Sequence, residues 1–420
     1  MTTDNQQPQT VVLAFSGGLD TSFCVPYLIE KGYRVVTVFG DSGGVTDEQR
    51  EAIKQRALEL GAAEHRTVDL SDDLWADFVI PFIRAGHPYQ DQYPLLCSDR
   101  YLIVKRSLEL CRELGTHLFS HGCTGMGNDQ VRFDLTARML GDFEILAPIR
   151  DIQSQHTHVR AYEIDYLKQR GFEVAGKPSR YTVNENILGV TISGAEIDRF
   201  EAPGEATWQL CAPPADRPAE PMQCCIGFEQ GVPITLDGGT ISGPDMLREL
   251  NTRFGAYGVG RGIYTGDTVI GLKGRIVFEC PALTALLTAH RALEEPILTR
   301  HQNQFKPLAA RMWAELVYQG FFYEPLKADL QQFVESTQRF VTGEVTVQAH
   351  NGVCQATGVR SDHLLRHEHA EYAQSADWGR QEAEGFIRLL GHSSVISSRV
   401  NPTELQLQAS PASPALLHGG

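Results

Sequence analysis

The run Ser16-Gly17-Gly18-Leu19-Asp20-Thr21-Ser22 combines the residue types that bind phosphate. It follows an apolar stretch, residues 11–15, that predicts a buried strand, and it leads into a helical stretch. The two glycines let the backbone bring its N–H groups close to an anion, the hydroxyls add donors, and the positive end of the helix points at the same place. The sequence therefore predicts a phosphate cradle.

The cradle lacks the Gly-Lys-Ser/Thr ending of a P-loop, so it has no lysine to reach terminal phosphates. Transfer of a terminal phosphoryl group is therefore not the natural chemistry. The carboxylate of Asp20 offers the hard oxygen that Mg²⁺ prefers, and a helix-capping role for Asp20 is equally compatible with the pattern.

A second block, residues 121–133 (HGCTGMGNDQVRF), follows another predicted strand. Its glycines lie beside Thr124, Asn128, Asp129 and Arg132, which together supply donors, acceptors, one anion and one cation. If a helix begins near residue 128, Asn128 and Arg132 fall on one face of it. This composition suits a zwitterionic ligand. The alternative is a helix cap followed by a surface pair of Asp129 and Arg132.

The elements that position these loops alternate in the first half of the chain. Apolar runs predict strands at residues 11–15, 34–39, 64–70, 116–120 and 143–149, with helices between them. In one helix Thr46 and Gln49 form a capping box and Gly61 provides the stop. The pattern predicts an α/β fold with a doubly wound parallel sheet that binds ligands at the carboxyl ends of its strands.

The second half of the chain predicts an α+β domain. Residues 212–221 contain four prolines and predict a loop, residues 222–229 and 234–236 a hairpin, and residues 244–254, 281–293, 307–318 and 325–340 helices. We expect a nucleotide-binding domain at 10–171, a substrate domain at 172–375, a C-terminal helical region at 376–400, and disordered tails at 1–9 and 401–420.

The bulk composition narrows the function classes. The formal net charge of -15 disfavours broad binding to nucleic acid. No apolar stretch reaches the ~20 residues of a membrane span, and the N-terminus is polar and acidic, unlike a secretory signal. The nine cysteines contain no CxxC pair, which disfavours a disulfide framework or a zinc site. We therefore expect a cytoplasmic protein that acts on small molecules.

Two resemblances sharpen this expectation. The run SGGLDTS is similar to the pyrophosphate loop of the N-type ATP pyrophosphatases, which cleave between the α- and β-phosphates. The block at 121–133 closely resembles argininosuccinate synthase, and further matches at 258–261, 271–273, 314–320 and 341–345 follow in order along most of the chain. The resemblance implies an ATP-dependent ligase that joins citrulline to aspartate through a citrullyl-adenylate, releasing AMP and diphosphate in arginine biosynthesis. It also implies Mg²⁺ and a homotetramer.

Carried over position by position, the resemblance implies four sets of site residues. ATP would be contacted by Ala14, Phe15, Ser16, Gly17, Gly18, Leu19, Asp20, Thr21, Ser22, Gly40 and Gly122. Citrulline would be contacted by Tyr93, Ser98, Asn128, Arg132, Thr182 and Thr191. Aspartate would be contacted by Thr124, Asn128 and Asp129. The catalytic residues would be Asp20, which also holds the metal, and Arg132.

The chain departs from the family pattern in its citrulline contacts. The loop at 93–100 is shorter than usual, so Tyr89 and Asp99 are alternatives to Tyr93 and Ser98. Gly266 and Phe278 stand where the family has a glutamate and a tyrosine for the amino end of citrulline. We expect Asp267 or Asp99 to supply the lost charge.

Three other functions remain open. The same chemistry could act on a modified ureido acceptor such as an Nα-acylated citrulline. A tRNA-modifying ATP pyrophosphatase would require paired catalytic cysteines and a basic face, and neither is visible. A binding-only protein is disfavoured because every glycine, hydroxyl and carboxylate of SGGLDTS is present.

Overall fold

The computed structural model describes residues 8–174, 180–366 and 377–401. The chain divides after Leu364 into two compact units. The predicted tails lie almost entirely outside the described residues. None of the helices in the described ranges is long and apolar enough to cross a membrane.

A parallel sheet organises the first part of the chain. Its strands are β1 (Thr10–Ala14), β2 (Arg34–Asp41), β3 (Glu64–Asp69), β4 (Leu118–Ser120) and β5 (Glu144–Leu146). They lie in the order β3-β2-β1-β4-β5, and Val12 of β1 pairs with Val36 on one side and Phe119 on the other. The order therefore reverses at β1, which confirms the predicted α/β fold and places a topological switch point between β1 and β4.

Helices cover both faces of this sheet. They are α1 (Leu19–Glu30), α2 (Asp47–Glu59), α3 (Ser71–Leu74), α4 (Ile80–Ala85), α5 (Asp99–Glu113), α6 (Asp129–Leu140), α7 (Pro148–Gln153) and α8 (Val159–Gln169), with a π-helical turn, Trp75–Val79, between α3 and α4. Because side chains alternate along a strand, Val11 and Leu13 pack with α1 and α8, whereas Val12 and Ala14 pack with α5 and α6.

Two antiparallel sheets follow. The four-stranded sheet contains β6 (Thr182–Asn186), β7 (Gly189–Ser193), β11 (Arg261–Asp267) and β12 (Lys273–Glu279). The five-stranded sheet contains β8 (Met222–Glu229), β9 (Val232–Leu236), β10 (Gly239–Thr240), β13 (Gly343–His350) and β14 (Val353–Arg360). Their orders are β11-β12-β7-β6 and β10-β9-β8-β13-β14. The accompanying helices are α9 (Ala195–Asp198), α10 (Gly243–Gly255), α11 (Pro281–Glu294), α12 (Arg300–Gln319) and α13 (Pro325–Thr337).

The sequence predicted both ends of α2 correctly but not the start of α12. The capping box of Thr46 and Gln49 is present at the start of α2, and Gly61 after it is left-handed with φ 98°, as predicted. The predicted start of a helix at Pro307 is wrong, because a capping box of Thr299 and Gln302 begins α12 seven residues earlier.

The predicted strand at 143–149 is also too long. The observed strand ends at Leu146, because Pro148 opens α7 and cannot donate to a strand ladder. The predicted helix at 325–340 ends at Thr337, and a 3₁₀ turn, Gln338–Phe340, follows it.

The second unit contains two described helices, α14 (Arg380–Leu390) and α15 (His392–Val400). Phe386, Ile387, Leu389 and Leu390 of α14 are 59–73% exposed. Most large apolar side chains of a folded chain are buried, so this helix carries an unusually apolar exposed surface.

Candidate active site

A cavity of about 960 Å³ opens at the carboxyl ends of β1, β2 and β4. Its walls include the loop after β1, the loop after β4 and the β6–β7 hairpin. The switch point of a doubly wound sheet is where the loops on its two sides diverge and leave a crevice, which explains why the cavity forms here.

The phosphate loop, the predicted cradle at residues 16–22, turns sharply into α1. Gly17 is left-handed at φ 77°, and a Cβ there would lie 3.2 Å from Ile53 Cγ1. Within the loop, the Ser16 N–H donates to Thr21 Oγ1 over 3.3 Å, and Ser22 Oγ donates to the Gly17 carbonyl over 3.3 Å. Gly18 is the N-cap and has no side chain, so no cap competes with a ligand for the first N–H groups of the helix.

The loop after β4 presses against the start of α1. A Cβ on Gly122 would lie 3.0 Å from Thr21 Cγ2 and 3.2 Å from the Thr21 nitrogen. Gly40 has a similar constraint, because a Cβ there would lie 2.8 Å from Leu70 Cδ1. Both glycines therefore permit close packing of the elements that form this part of the cavity wall.

The side chain of Asn128 takes part in tertiary contacts instead of capping α6. Its amide donates to the Tyr318 hydroxyl over 3.3 Å and accepts from the Val269 N–H over 3.0 Å. Arg132, one turn later, donates from Nε and Nη2 to the Tyr318 carbonyl over 3.1 and 3.0 Å. The two residues thus anchor the loop to α12, and the helix-cap alternative does not describe Asn128.

Asp129 lies between two arginines. Arg132 Nη1 donates to one of its oxygens over 2.8 Å, and Arg100 Nε donates to the other over 3.3 Å. Burial opposes ionisation of Asp129, but the two guanidinium groups outweigh it and hold the pKa of Asp129 below its ordinary value. The side chain of Asp129 is still 39% exposed, so this carboxylate is both ionised and accessible.

The β6–β7 hairpin supplies hydroxyl groups to the opposite wall. Asn184 pairs with Thr191, and Thr182 pairs with Ser193, so these four residues share one face of the hairpin. All four line the cavity. Arg100 Nη2 donates to Asn184 Oδ1 over 2.9 Å and thereby ties this wall to α5.

Most of the predicted site residues meet in this one cavity. Those that line it are Ala14, Phe15, Ser16, Gly18, Leu19, Asp20, Thr21, Gly40, Tyr93, Gly122, Thr124, Asn128, Asp129, Arg132, Thr182 and Thr191. Gly17, Ser22 and Ser98 are not part of the cavity wall. The Ser98 hydroxyl is fully buried and donates to the Leu95 carbonyl over 2.8 Å.

Sequence reasoning missed several residues of the wall. Arg100, Arg160 and Tyr318 all line the cavity. Arg100 follows Asp99 directly, and its Nη1 donates to both Asp99 oxygens over 2.7 and 2.9 Å. The adjacent Asp99 and Arg100 at the start of α5 are the sequence feature that could have identified Arg100. No neighbouring residue in the sequence, however, indicates that Arg100 contacts Asp129.

Asp20 and Glu163 form a carboxyl pair beside the phosphate loop. Glu163 is 1% exposed, its Oε1 has no hydrogen-bond donor among the described residues, and its carboxyl group lies against that of Asp20. Burial and then the charge of Asp20 raise the pKa of Glu163 to about 8. Burial also raises the pKa of Asp20, and Arg160 opposes that shift. Two facing carboxyl groups need a cation or a proton between them.

The region around Gly266 is closed by neighbouring side chains. A Cβ on Gly266 would lie 2.4 Å from Gln90 Oε1 and 2.5 Å from the Tyr264 hydroxyl. The Asp267 carboxylate accepts from Gln90 Nε2 over 3.1 Å and pairs with Lys273. Asp267 is not part of the cavity wall.

Comparisons with known proteins agree along most of the chain. Residues 10–173 match the family described as "Arginosuccinate synthase N-terminal HUP domain", and residues 181–397 match "Arginosuccinate synthase C-terminal domain". The argininosuccinate synthase of Xanthomonas campestris pv. campestris is 59% identical over 93% of this chain and 98% of its own length.

Two relatives of lower identity also match over most of the chain. The argininosuccinate synthase of Xylella fastidiosa is 56% identical over 94% of this chain and 98% of its own length. That of Methanocaldococcus jannaschii is 36% identical over 90% and 95%. Together with the two domain matches, these identities show that the chain belongs to the argininosuccinate synthase family.

Proposed function

We propose that the chain joins L-citrulline to L-aspartate with ATP, forming argininosuccinate, AMP and diphosphate in arginine biosynthesis. The observation that carries this proposal is the single cavity that holds the phosphate loop, the polar loop after β4 and the hydroxyl-bearing hairpin. Its volume of about 960 Å³ is at the upper end of the range of ligand sites, as a nucleotide and two amino acids require.

The first half of the reaction takes place at the phosphate loop. The citrulline ureido oxygen attacks the α-phosphorus, the bond to the bridging oxygen breaks, and that oxygen leaves with the electron pair as part of diphosphate. The N–H groups at the start of α1 and the hydroxyls of Ser16 and Thr21 would bind the phosphates. Catalysis in this step comes from alignment and from fixed positive ends of dipoles, with no covalent enzyme intermediate.

Mg²⁺ fits the carboxyl pair at this loop. The orphaned Oε1 of Glu163 and the adjacent carboxyl group of Asp20 are the hard oxygen ligands that Mg²⁺ prefers. When bound, Mg²⁺ would neutralise charge on the phosphates. Asp20, in the cavity wall, would hold it, and Glu163 lies directly behind.

The second half of the reaction joins the amine. We assign aspartate to Thr124, Asn128 and Asp129, and the acceptor to Tyr93, Asn128, Arg132, Thr182 and Thr191, with Ser98 outside the cavity wall. The ionised Asp129 would bind an ammonium group, and Arg100 and Arg132 keep it ionised. The bound ammonium of aspartate first gives up a proton to water in the cavity. The free amine then attacks the activated carbon and loses a second proton, and AMP leaves with the electron pair of the C–O bond.

The experiment that tests the function measures AMP and diphosphate together. We expect both to form from ATP only when citrulline and aspartate are present, and neither to form with tRNA. Nα-acetylcitrulline is the matched comparator, because the uncharged Gln90 and Tyr264 fill the place of a side chain at Gly266. If the acetylated compound turns over faster, it and not citrulline is the acceptor, and the proposed adenylation chemistry stands.

We further propose a cytoplasmic homotetramer with a nucleotide-binding domain at 10–171 and a substrate domain at 172–375. The exposed apolar residues of α14 support an association between subunits through the region 376–400. Light scattering after gel filtration measures the mass directly. A monomer at micromolar concentration would contradict the assembly.

A further inference from the structure

Three arginines line the cavity within the described ranges, and two of them are bonded to other side chains or to the backbone. Arg100 is bonded to Asp99 and Asp129, and Arg132 is bonded to Asp129 and to α12. The guanidinium of Arg160 makes no hydrogen bond and no ion pair with any described residue. It is exposed to the cavity.

The helix itself does not explain Arg160. Arg160 is the second residue of α8, in a first turn that has no acidic residue. A cation there adds to the positive end of the helix dipole, which is the opposite of the usual preference. A ligand with negative charge would offset both.

Arg160 lines the same cavity as Ser16, Asp20 and Thr21 of the phosphate loop. Its charge acts on Asp20 of the phosphate loop and on Glu163 behind it, although neither forms an ion pair with it. The loop itself has no lysine, so its donors are neutral N–H and hydroxyl groups. A leaving diphosphate carries several negative charges that these dipoles only partly offset.

We propose that Arg160 binds the β- and γ-phosphates of ATP and holds the diphosphate that leaves. This assignment rests on the adenylation chemistry of the proposed function. The planar guanidinium can donate two parallel hydrogen bonds to a phosphate and stays charged throughout. Arg160 exchanges no proton, and its contribution is to stabilise the charge that moves onto the bridging oxygen.

Calorimetry with magnesium diphosphate and, separately, AMP tests this assignment on the full chain. We expect Arg160→Gln to weaken diphosphate binding roughly 10- to 100-fold, the loss of a charge-assisted contact, and to leave AMP within about twofold. Arg160→Lys should retain part of the affinity. Lys168→Gln, which removes an exposed cation from the last turn of the same helix, should behave like the unaltered chain.

Unchanged diphosphate affinity in Arg160→Gln would overturn the assignment. Equal weakening of AMP and diphosphate would also overturn it, because the effect would then be a distorted cavity. Citrulline-dependent AMP formation by the unaltered chain is measured in parallel. Its absence would refute the proposed function, whereas its presence with normal diphosphate binding by Arg160→Gln would refute the role of Arg160 alone.

Discussion

Replacing Arg100 with methionine should lower the free energy of unfolding by roughly 3–5 kcal/mol, the cost of leaving a buried carboxylate unpaired. The side chain of Asp99 is 3% exposed and accepts two hydrogen bonds from Arg100. Among the described residues, only the side-chain contact from Ser42 Oγ, at 3.0 Å, would remain. Asp129 would also lose Arg100, but it is 39% exposed, so water can compensate there. The loss therefore comes mainly from Asp99.

Arg106→Met is the matched control on the same helix. Arg106 also bonds two carboxylates, Asp73 and Glu109, but these are 25% and 41% exposed and Arg106 itself is 34% exposed. Exposed pairs contribute about 0–1 kcal/mol. Urea unfolding followed by circular dichroism compares the two variants in the same transition. Similar losses, or a loss below about 1 kcal/mol for Arg100→Met, would refute the reasoning.

Three further predictions concern other parts of the molecule. Glu163→Gln should weaken binding of Mn²⁺, measured by electron paramagnetic resonance, about tenfold, and Asp165→Asn on the same helix should not; unchanged binding would show that a proton joins the carboxyl pair. Thr124→Ala and Asp129→Ala should raise the KM for aspartate more than that for ATP, whereas equal increases would indicate a collapsed loop. Burial lowers the pKa of His290 to about 4, so the folded state binds fewer protons than the unfolded state, and stability should fall by about 1.4 kcal/mol per unit from pH 6.5 down to 4. His290→Gln should remove that slope in urea unfolding.

The sequence predicted the parts of the site that depend on neighbours in the chain. The strand, the two glycines and the helix of the phosphate loop are consecutive, and so are Thr46 and Gln49 of the capping box. In both cases the bonds that fix the geometry join residues at most five apart. Such features can be read from spacing alone.

The remaining contacts join residues far apart in the chain. Arg100 meets Asp129, 29 positions later, and Asn184, 84 positions later. Arg132 meets the carbonyl of Tyr318, 186 positions away. No pattern in a single sequence identifies such partners, because each arginine could pair with any of many carboxylates elsewhere in the chain. The prediction of where α12 begins was wrong for a related reason. A proline is common in the first turn of a helix, but here the capping box of Thr299 and Gln302 begins the helix before Pro307.

Two side chains fill the space beside Gly266, where the resemblance implies a glutamate. The Tyr264 hydroxyl donates to Gln90 Oε1 over 2.9 Å, and these two groups occupy the space that a side chain at 266 would need. Adjacent strand residues point to opposite faces, so Asp267 cannot simply take the place of residue 266, and its carboxylate is already paired with Lys273. Asp267 is therefore poorly placed to supply the predicted charge, whereas Asp99, the other expected anion, lines the cavity and stays a prediction. A side chain introduced at 266 would therefore require changes at 90 and 264 as well.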